Sequence, residues 1–207
     1  MTTVLKVGGA VVDGELGELE DTVVVHGGGP QITAAMEQAG LTATFVRGRR
    51  VTDAAALGVV RESLLEVNRQ LCEQIGPRAI GLAGDEIGLQ ATPVPELGHV
   101  GTPFPSRPQA ILDALAAGRI PVVAPLAEGP LNVNADEAAS ALAVGLGAER
   151  IVFHTDVPGV ILPRITADDA DELLDELEGG IVPKLQAAVA AARLGVRAEI
   201  GLTEVVA

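Results

Sequence analysis

Val23-Val24-Val25-His26-Gly27-Gly28-Gly29-Pro30 is the stretch whose reading decides the fold. Three consecutive β-branched residues bounded by glycines read as a fully buried strand. The apolar spacing from Ile32 to Ala39, closed by Gly40, reads as a helix. Glycines between a strand and a helix let backbone N–H groups approach an anion, and the helix N-terminus adds positive potential there. A tight turn alone seldom calls for three glycines, so this turn reads as a ligand loop. His26 reads equally well as an orienting residue or a reactive one.

The same alternation continues in both directions. Thr3 to Val7 is a β-rich run ahead of Gly8 and Gly9. Downstream, strand signals at 44–46, 79–82, 120–123, 151–153, 197–200 and 204–206 alternate with helical spacing at 53–75, 110–117, 135–146, 168–177 and 185–194. Residues 85–102 are rich in Gly and Pro and read as a hairpin excursion. Repeated strand-then-helix units predict an α/β fold: a three-layer αβα sandwich with a mainly parallel central sheet. Ligands bind such sheets beyond the carboxyl ends of the strands. The turns after Val7, Val25 and Phe153 all fall at such ends and are expected to meet at one edge.

Composition narrows the function. The 207 residues suit one domain or two joined lobes, and with 48% hydrophobic but only 1% aromatic residues the core must be aliphatic. A formal net charge of −14 argues against a nucleic-acid or anionic-membrane partner, which needs a basic face. It leaves a small anionic ligand open, because local cations and helix N-termini can bind one. Cys72 stands alone and reads as a structural thiol. No signal peptide and no membrane-length apolar run are visible, so a cytoplasmic protein is expected.

The chain carries 14 basic residues, and only Lys6 and Lys184 are lysines. Lys6 precedes Gly8 and Gly9; Lys184 follows Gly179 and Gly180. A compact ammonium can follow a moving phosphoryl group, whereas arginine offers a wide planar fork. Arg50, just before the Thr52-Asp53 helix start, is placed to grip a carboxylate with two parallel bonds, although a solvated arginine fits equally. Arg47 and Arg49 read as surface residues. In Asn132-Val133-Asn134-Ala135-Asp136, helix capping accounts for Asn134 and Asp136 but not for Asn132. Thr155-Asp156-Val157-Pro158-Gly159-Val160 follows a strand and reads as a Pro-Gly turn or a nucleotide loop. Neither a P-loop nor a protein-kinase loop is present.

Taken in order, K-x-G-G, H-G-G-G-P, R-V-T-D, N-V-N-A-D, T-D-V-P-G-V and G-G-x-x-x-K resemble the amino acid kinase family from end to end, most nearly its N-acetylglutamate kinases. The resemblance implies the carbamate kinase-like fold and ATP-dependent phosphorylation of the N-acetyl-L-glutamate side-chain carboxylate in arginine biosynthesis. It implies that Lys6 and Lys184 stabilise the transferring phosphoryl group and that Asp136 orients them. Gly28, Gly29, Arg50 and Asn132 would bind the acid. Gly8, Gly9, Asp156, Val157, Pro158, Gly159, Val160 and Ile161 would line the ATP site, with Mg²⁺ carried by the nucleotide phosphates and no metal ligated by the protein. A homodimer is also implied, with residues 1–127 as an acid-binding lobe and 128–207 as a nucleotide lobe. Three departures stand out: a short stretch between Gly9 and Val23 that would hold a reduced helix at Val11–Asp21, no helix ahead of Met1, and a trimmed C-terminal end. An aminoadipate-type kinase and a non-catalytic N-acetylglutamate-binding regulator are the alternatives.

Overall fold

Two short valine-bearing strands set the centre of the molecule. In the computed structural model, which describes residues 1–8, 19–154, 162–174, 176–177 and 179–207, β1 (Thr3–Val7) and β2 (Thr22–His26) lie side by side and parallel. The chain continues through α1 (Gly29–Gln38), β3 (Phe45–Val46), β4 (Arg49–Arg50), α2 (Ala54–Ile75), β5 (Ala79–Ala83) and α3 (Gly84–Ile87). It then forms β6 (Ala91–Pro93), β7 (Val100–Pro103), α4 (Gln109–Ala116), β8 (Ile120–Ala124), β9 (Leu126–Ala127), β10 (Leu131–Val133) and α5 (Ala135–Leu146). The last elements are β11 (Arg150–Phe153), β12 (Arg164–Thr166), α6 (Ala167–Leu173), α7 (Ile181–Arg193), β13 (Arg197–Ile200) and β14 (Thr203–Val206).

The main sheet has the order β12-β14-β13-β11-β1-β2-β8-β5. Its neighbours are parallel except for β13 and β14, which pair antiparallel. Alternate residues of a strand face opposite sides of a sheet, and the two cores follow that rule. Val4, Val23 and Val25 face α5 and α7, while Val7, Val24 and Val122 pack with Leu71 of α2. α1 docks on α2 through Ile32, Met36, Val60 and Leu64. This is the three-layer arrangement the alternation predicts. A smaller sheet, β6-β7-β10-β9, and the hairpin β3-β4 stand beside it.

The structure corrects several boundaries. α1 begins at Gly29, not Ile32, because Pro30 already holds the φ of a first helical turn. α7 begins at Ile181, four residues before the expected Leu185, and tolerates Pro183 in its first turn. Lys184 therefore stands on a helix and not in a loop. α6 stops at Leu173, short of the expected Leu177. Strands β9, β10 and β12, of two or three residues each, escaped the pattern reading because they are too short to show a period. Gly9, most of the helix expected at Val11–Asp21, and the loop residues Asp156, Val157, Pro158, Gly159, Val160 and Ile161 lie outside the described residues.

Candidate active site

The register of β1 brings the chemistry together. Lys6 is level with Val25 of β2 and Phe153 of β11, so the three strands end along one edge. Lys6 also shares the face of Val4, which is the face covered by α5 and α7. Its Nζ lies 3.0 Å from Asp136 Oδ1, and Lys184 Nζ lies 3.6 Å from the same oxygen. Both contacts are ionic, with no aligned hydrogen bond on that oxygen. Side-chain exposure is 8% for Lys6, 7% for Asp136 and 17% for Lys184, so this triad sits in a weakly screened environment. Burial, with Lys184 adding to it, lowers the pKa of Lys6 below the usual lysine range, while Asp136 opposes the shift.

Each member is fixed by local structure. Asn134 caps α5, its Oδ1 accepting from the N–H groups of Asp136 (2.8 Å) and Glu137 (3.2 Å). That sets Asp136 in the first turn, where a carboxylate suits the helix dipole. α7 has Gly180 at its N-cap and no side-chain cap, and Val182 N–H in its first turn donates to Gly179 O at 3.3 Å. Two ammonium groups sharing one carboxylate leave a local surplus of one positive charge in a chain of net charge −14.

A cleft of about 220 Å³ reaches two members of the triad, Lys6 and Asp136, and is lined also by Gly28, Gly29, Arg50 and Asn132, among others. The N–H groups of Gly28 and Gly29 meet no acceptor among the described residues. A Cβ on Gly28 would press Leu64 at 3.1 Å, whereas the space beside Gly29 is open. Arg50 is buried; it donates to Gly29 O (3.1 Å) and Thr33 Oγ1 (2.9 Å), approaches Met36 Sδ (3.3 Å), and lies over the Phe45 ring at 4.5 Å. No carboxylate pairs with it among the described residues, which leaves a buried cation whose natural complement is an anionic ligand. Asn132 donates to Thr52 Oγ1 at 3.0 Å, and Thr52 in turn donates to Arg50 O at 2.9 Å. Gly8 is exposed at the end of β1.

Sequence reasoning missed two supports and left the role of a third residue open between orienting and reactive. Arg49 is not a surface residue: it is only 23% exposed and forms a bidentate pair with Glu137. Its position beside Arg50 on a strand, where neighbours face opposite ways, was the available signal. Thr52 is fully buried between Arg50 and Asn132, and it bridges to Gly98 in the 85–102 excursion. His26 is the third. Its Nε2 accepts from Asn68 Nδ2 at 3.1 Å, so Nδ1–H donates to Gly27 O at 2.8 Å. Burial, reinforced by Lys6, lowers its pKa to about 4, so His26 is neutral and orients the glycine loop. Cys72 is half-buried, and burial pushes its thiol pKa up, in keeping with a structural role.

A larger cavity of about 470 Å³ lies at the sheet edge, lined by Leu162, Arg164, Thr166, Asp169, Glu172 and Glu176. It shares no residue with the cleft, and its carboxylates oppose a polyphosphate. Among the described residues, no helix is long and apolar enough to cross a membrane.

Known proteins resemble this chain in sequence and in fold. The chain is 41% identical to an acetylglutamate kinase of Saccharopolyspora erythraea, over 94% of this chain and 77% of that protein. It is 44% identical to one of a Nocardioides species, over 84% of this chain and 64% of that protein. The solved structure of smu.665 from Streptococcus mutans superimposes with a TM-score of 0.86 at 26% identity, covering 99% of this chain and 98% of that one. Residues 1–201 match the profile of the amino acid kinase family. On this match and these identities, with the sheet and the buried lysine pair described above, the chain belongs to the amino acid kinase family.

Proposed function

We propose that the protein transfers the γ-phosphoryl group of ATP to the side-chain carboxylate of N-acetyl-L-glutamate, giving N-acetyl-L-glutamyl 5-phosphate and ADP. The observation that carries this reading is the buried Lys6-Asp136-Lys184 triad, two of whose members line a cleft in which the buried Arg50 has no carboxylate of its own among the described residues. In this reading Arg50 and Asn132 hold the acid, and the N–H groups of Gly28 and Gly29 receive the reacting carboxylate. That carboxylate is already ionised, so a general base is not required. An oxygen of the acid attacks the γ-phosphorus, the bond to the β–γ bridging oxygen breaks, and ADP departs with that oxygen.

Lys6 and Lys184 offset the charge that spreads over the transferring group, and Asp136 keeps both ammonium groups aimed at it. Gly8, Gly9 and residues 156–161 are assigned to the nucleotide. Magnesium would be held by the nucleotide phosphates and would neutralise part of their charge. Two ammonium groups already share Asp136, which commits that carboxylate to the lysines. Residues 1–127 then serve mainly the acid and 128–207 mainly the nucleotide. The acyl phosphate would feed arginine biosynthesis. A homodimer is carried over from the family resemblance, and sedimentation equilibrium tests it.

The test is ATP-dependent hydroxamate formation with N-acetylglutamate, run beside aminoadipate derivatives. Wild-type turnover is expected with N-acetylglutamate, and Lys6→Arg and Lys184→Arg are each expected to lose most of it while staying folded. Preference for aminoadipate, binding of N-acetylglutamate without turnover, or near-wild-type rates in both variants would overturn the assignment.

A further inference from the structure

Arg49 and Arg50 are consecutive in β4, and their side chains leave on opposite faces. Arg50 turns toward α1 and the cleft. Arg49 turns toward α5: its Nε and Nη2 donate to the two carboxylate oxygens of Glu137 at 2.9 and 2.8 Å, and its Nη1 donates to Thr102 Oγ1 of β7 at 2.8 Å. Glu137 directly follows Asp136. At the hairpin tip, Arg47 (φ 49°) and Gly48 (φ 76°) make the left-handed turn that two-residue hairpins favour. A Cβ on Gly48 would come within 3.8 Å of Pro183, the residue before Lys184. The hairpin thus spans from the glycine-loop helix to both helices of the triad.

Its base is held by Val51 N–H donating to Thr44 O and Thr52 N–H to Leu97 O, both at 2.9 Å, and Arg50 ties it to α1. Each strand has two residues, and Phe45 and Val46 are exposed. A hairpin of this size does not hold its shape alone. We infer that Arg49 is a positioning residue, whose bidentate pair with Glu137 latches the Arg50 hairpin across the cleft onto the helix that carries Asp136. The inference rests on the acid-binding role proposed for Arg50. The pair also has an electrostatic duty. Burial raises the pKa of the Glu137 carboxyl, Arg49 opposes that rise, and Asp136 adds to it. Without Arg49, an uncompensated half-buried acid would stand next to the triad, where anionic substrates must approach.

The experiment compares wild type with Arg49→Met, Glu137→Gln and the double variant. Steady-state kinetics are measured against both substrates, together with hydrogen exchange of the 44–51 amides. A charge-assisted bidentate pair that is a quarter exposed predicts about a five- to tenfold rise in KM for the acid in each single variant. The double variant is expected to add nothing further, KM for ATP to stay within about twofold, and Arg49→Lys to restore only part of the effect, since an ammonium cannot supply the fork. Exchange at 44–51 is expected to quicken in both single variants, with or without substrate. An unchanged KM for the acid, additive effects in the double variant, or equal losses toward both substrates would overturn the positioning role. Unchanged exchange would overturn the latch itself. Quickened exchange in a protein that fails to phosphorylate N-acetylglutamate would sink the functional assignment and leave the latch standing.

Discussion

Lys6→Met is expected to abolish catalysis without weakening the fold, whereas Asp136→Asn is expected to do both. The difference follows from who is left behind. Asp136 attracts Lys6 across 3.0 Å and Lys184 across 3.6 Å. At an effective dielectric of about 20, each gross attraction is about 5 kcal/mol. Removing the carboxylate strands two ammonium groups against each other, and a buried pair broken in this way costs about 3–5 kcal/mol. Removing Lys6 leaves Asp136 still partnered by Lys184. Moreover, burial is the largest influence on Lys6 and acts against its charged form.

The sign of the linkage agrees. With its folded pKa below the unfolded 10.5, charged Lys6 is a net burden on the folded state at neutral pH. That burden is lifted as pH rises from the folded pKa toward the unfolded one. Methionine fills a similar volume without the charge, so Lys6→Met is expected to hold or slightly raise stability. For a chain of this size a gap of about 3 kcal/mol between the two variants corresponds to about 6–12 °C in Tm. Thermal unfolding read by circular dichroism, paired with the hydroxamate assay, measures both quantities. Turnover is expected to fall about 10²–10³-fold in each variant. A Tm loss in Lys6→Met as large as that in Asp136→Asn would refute the reasoning, because Lys184 would then not be holding Asp136.

Arg50→Lys keeps the charge but loses the planar fork, and is expected to raise KM for the acid about ten- to a hundredfold with little change in KM for ATP, as initial-rate kinetics will report. His26 is neutral in the fold with a pKa near 4 against 6.5 when unfolded, so the unfolded chain takes up the extra proton between those values. Stability is therefore expected to fall by up to about 3 kcal/mol as pH drops from 6.5 to 4, and His26→Gln to flatten that slope by about one proton in urea titrations across the range. A Cβ on Gly81 would overlap Asn68 Oδ1. Gly81→Ala is expected to displace Asn68 from His26 and from Val122 O, its 2.9 Å acceptor, costing about 1–3 kcal/mol in the same titration. Gly98 has φ 81° and its Cβ would run into Thr52 O. Gly98→Ala is therefore expected to lower Tm and to raise KM for the acid through Asn132, and a variant changing neither would contradict this.

Much of this was legible in the chain. The valine-bearing stretches and the glycines behind them marked β1, β2 and their shared edge, because a buried parallel strand leaves a largely apolar signature. Asp53 and Asn134 announced α2 and α5 through capping chemistry, and both helices start one residue after them. The scarcity of lysine drew attention to Lys6 and Lys184, and the structure brings them to one oxygen of Asp136. What stayed hidden depends on contacts far apart in sequence. Arg49 meets Glu137 across 88 positions, and Asn132 meets Thr52 across 80. No local period encodes such pairings. His26 shows the same limit: its tautomer is set by Asn68, a polar residue on an otherwise apolar helix face that sequence alone gives no reason to single out.

The alternation of Arg49 and Arg50 on a strand of two residues has a consequence for how this protein can change. Either side chain can be exchanged and its partners will register a graded loss. A single residue inserted or deleted between Arg50 and Asp53, the cap of α2, is a different kind of event. It shifts the phase of the strand by one, so the arginine meant for the ligand would point at Glu137 and the other at α1. Length in this segment is therefore under tighter constraint than composition, and natural or engineered variation there is expected to come as substitutions or as changes in steps of two.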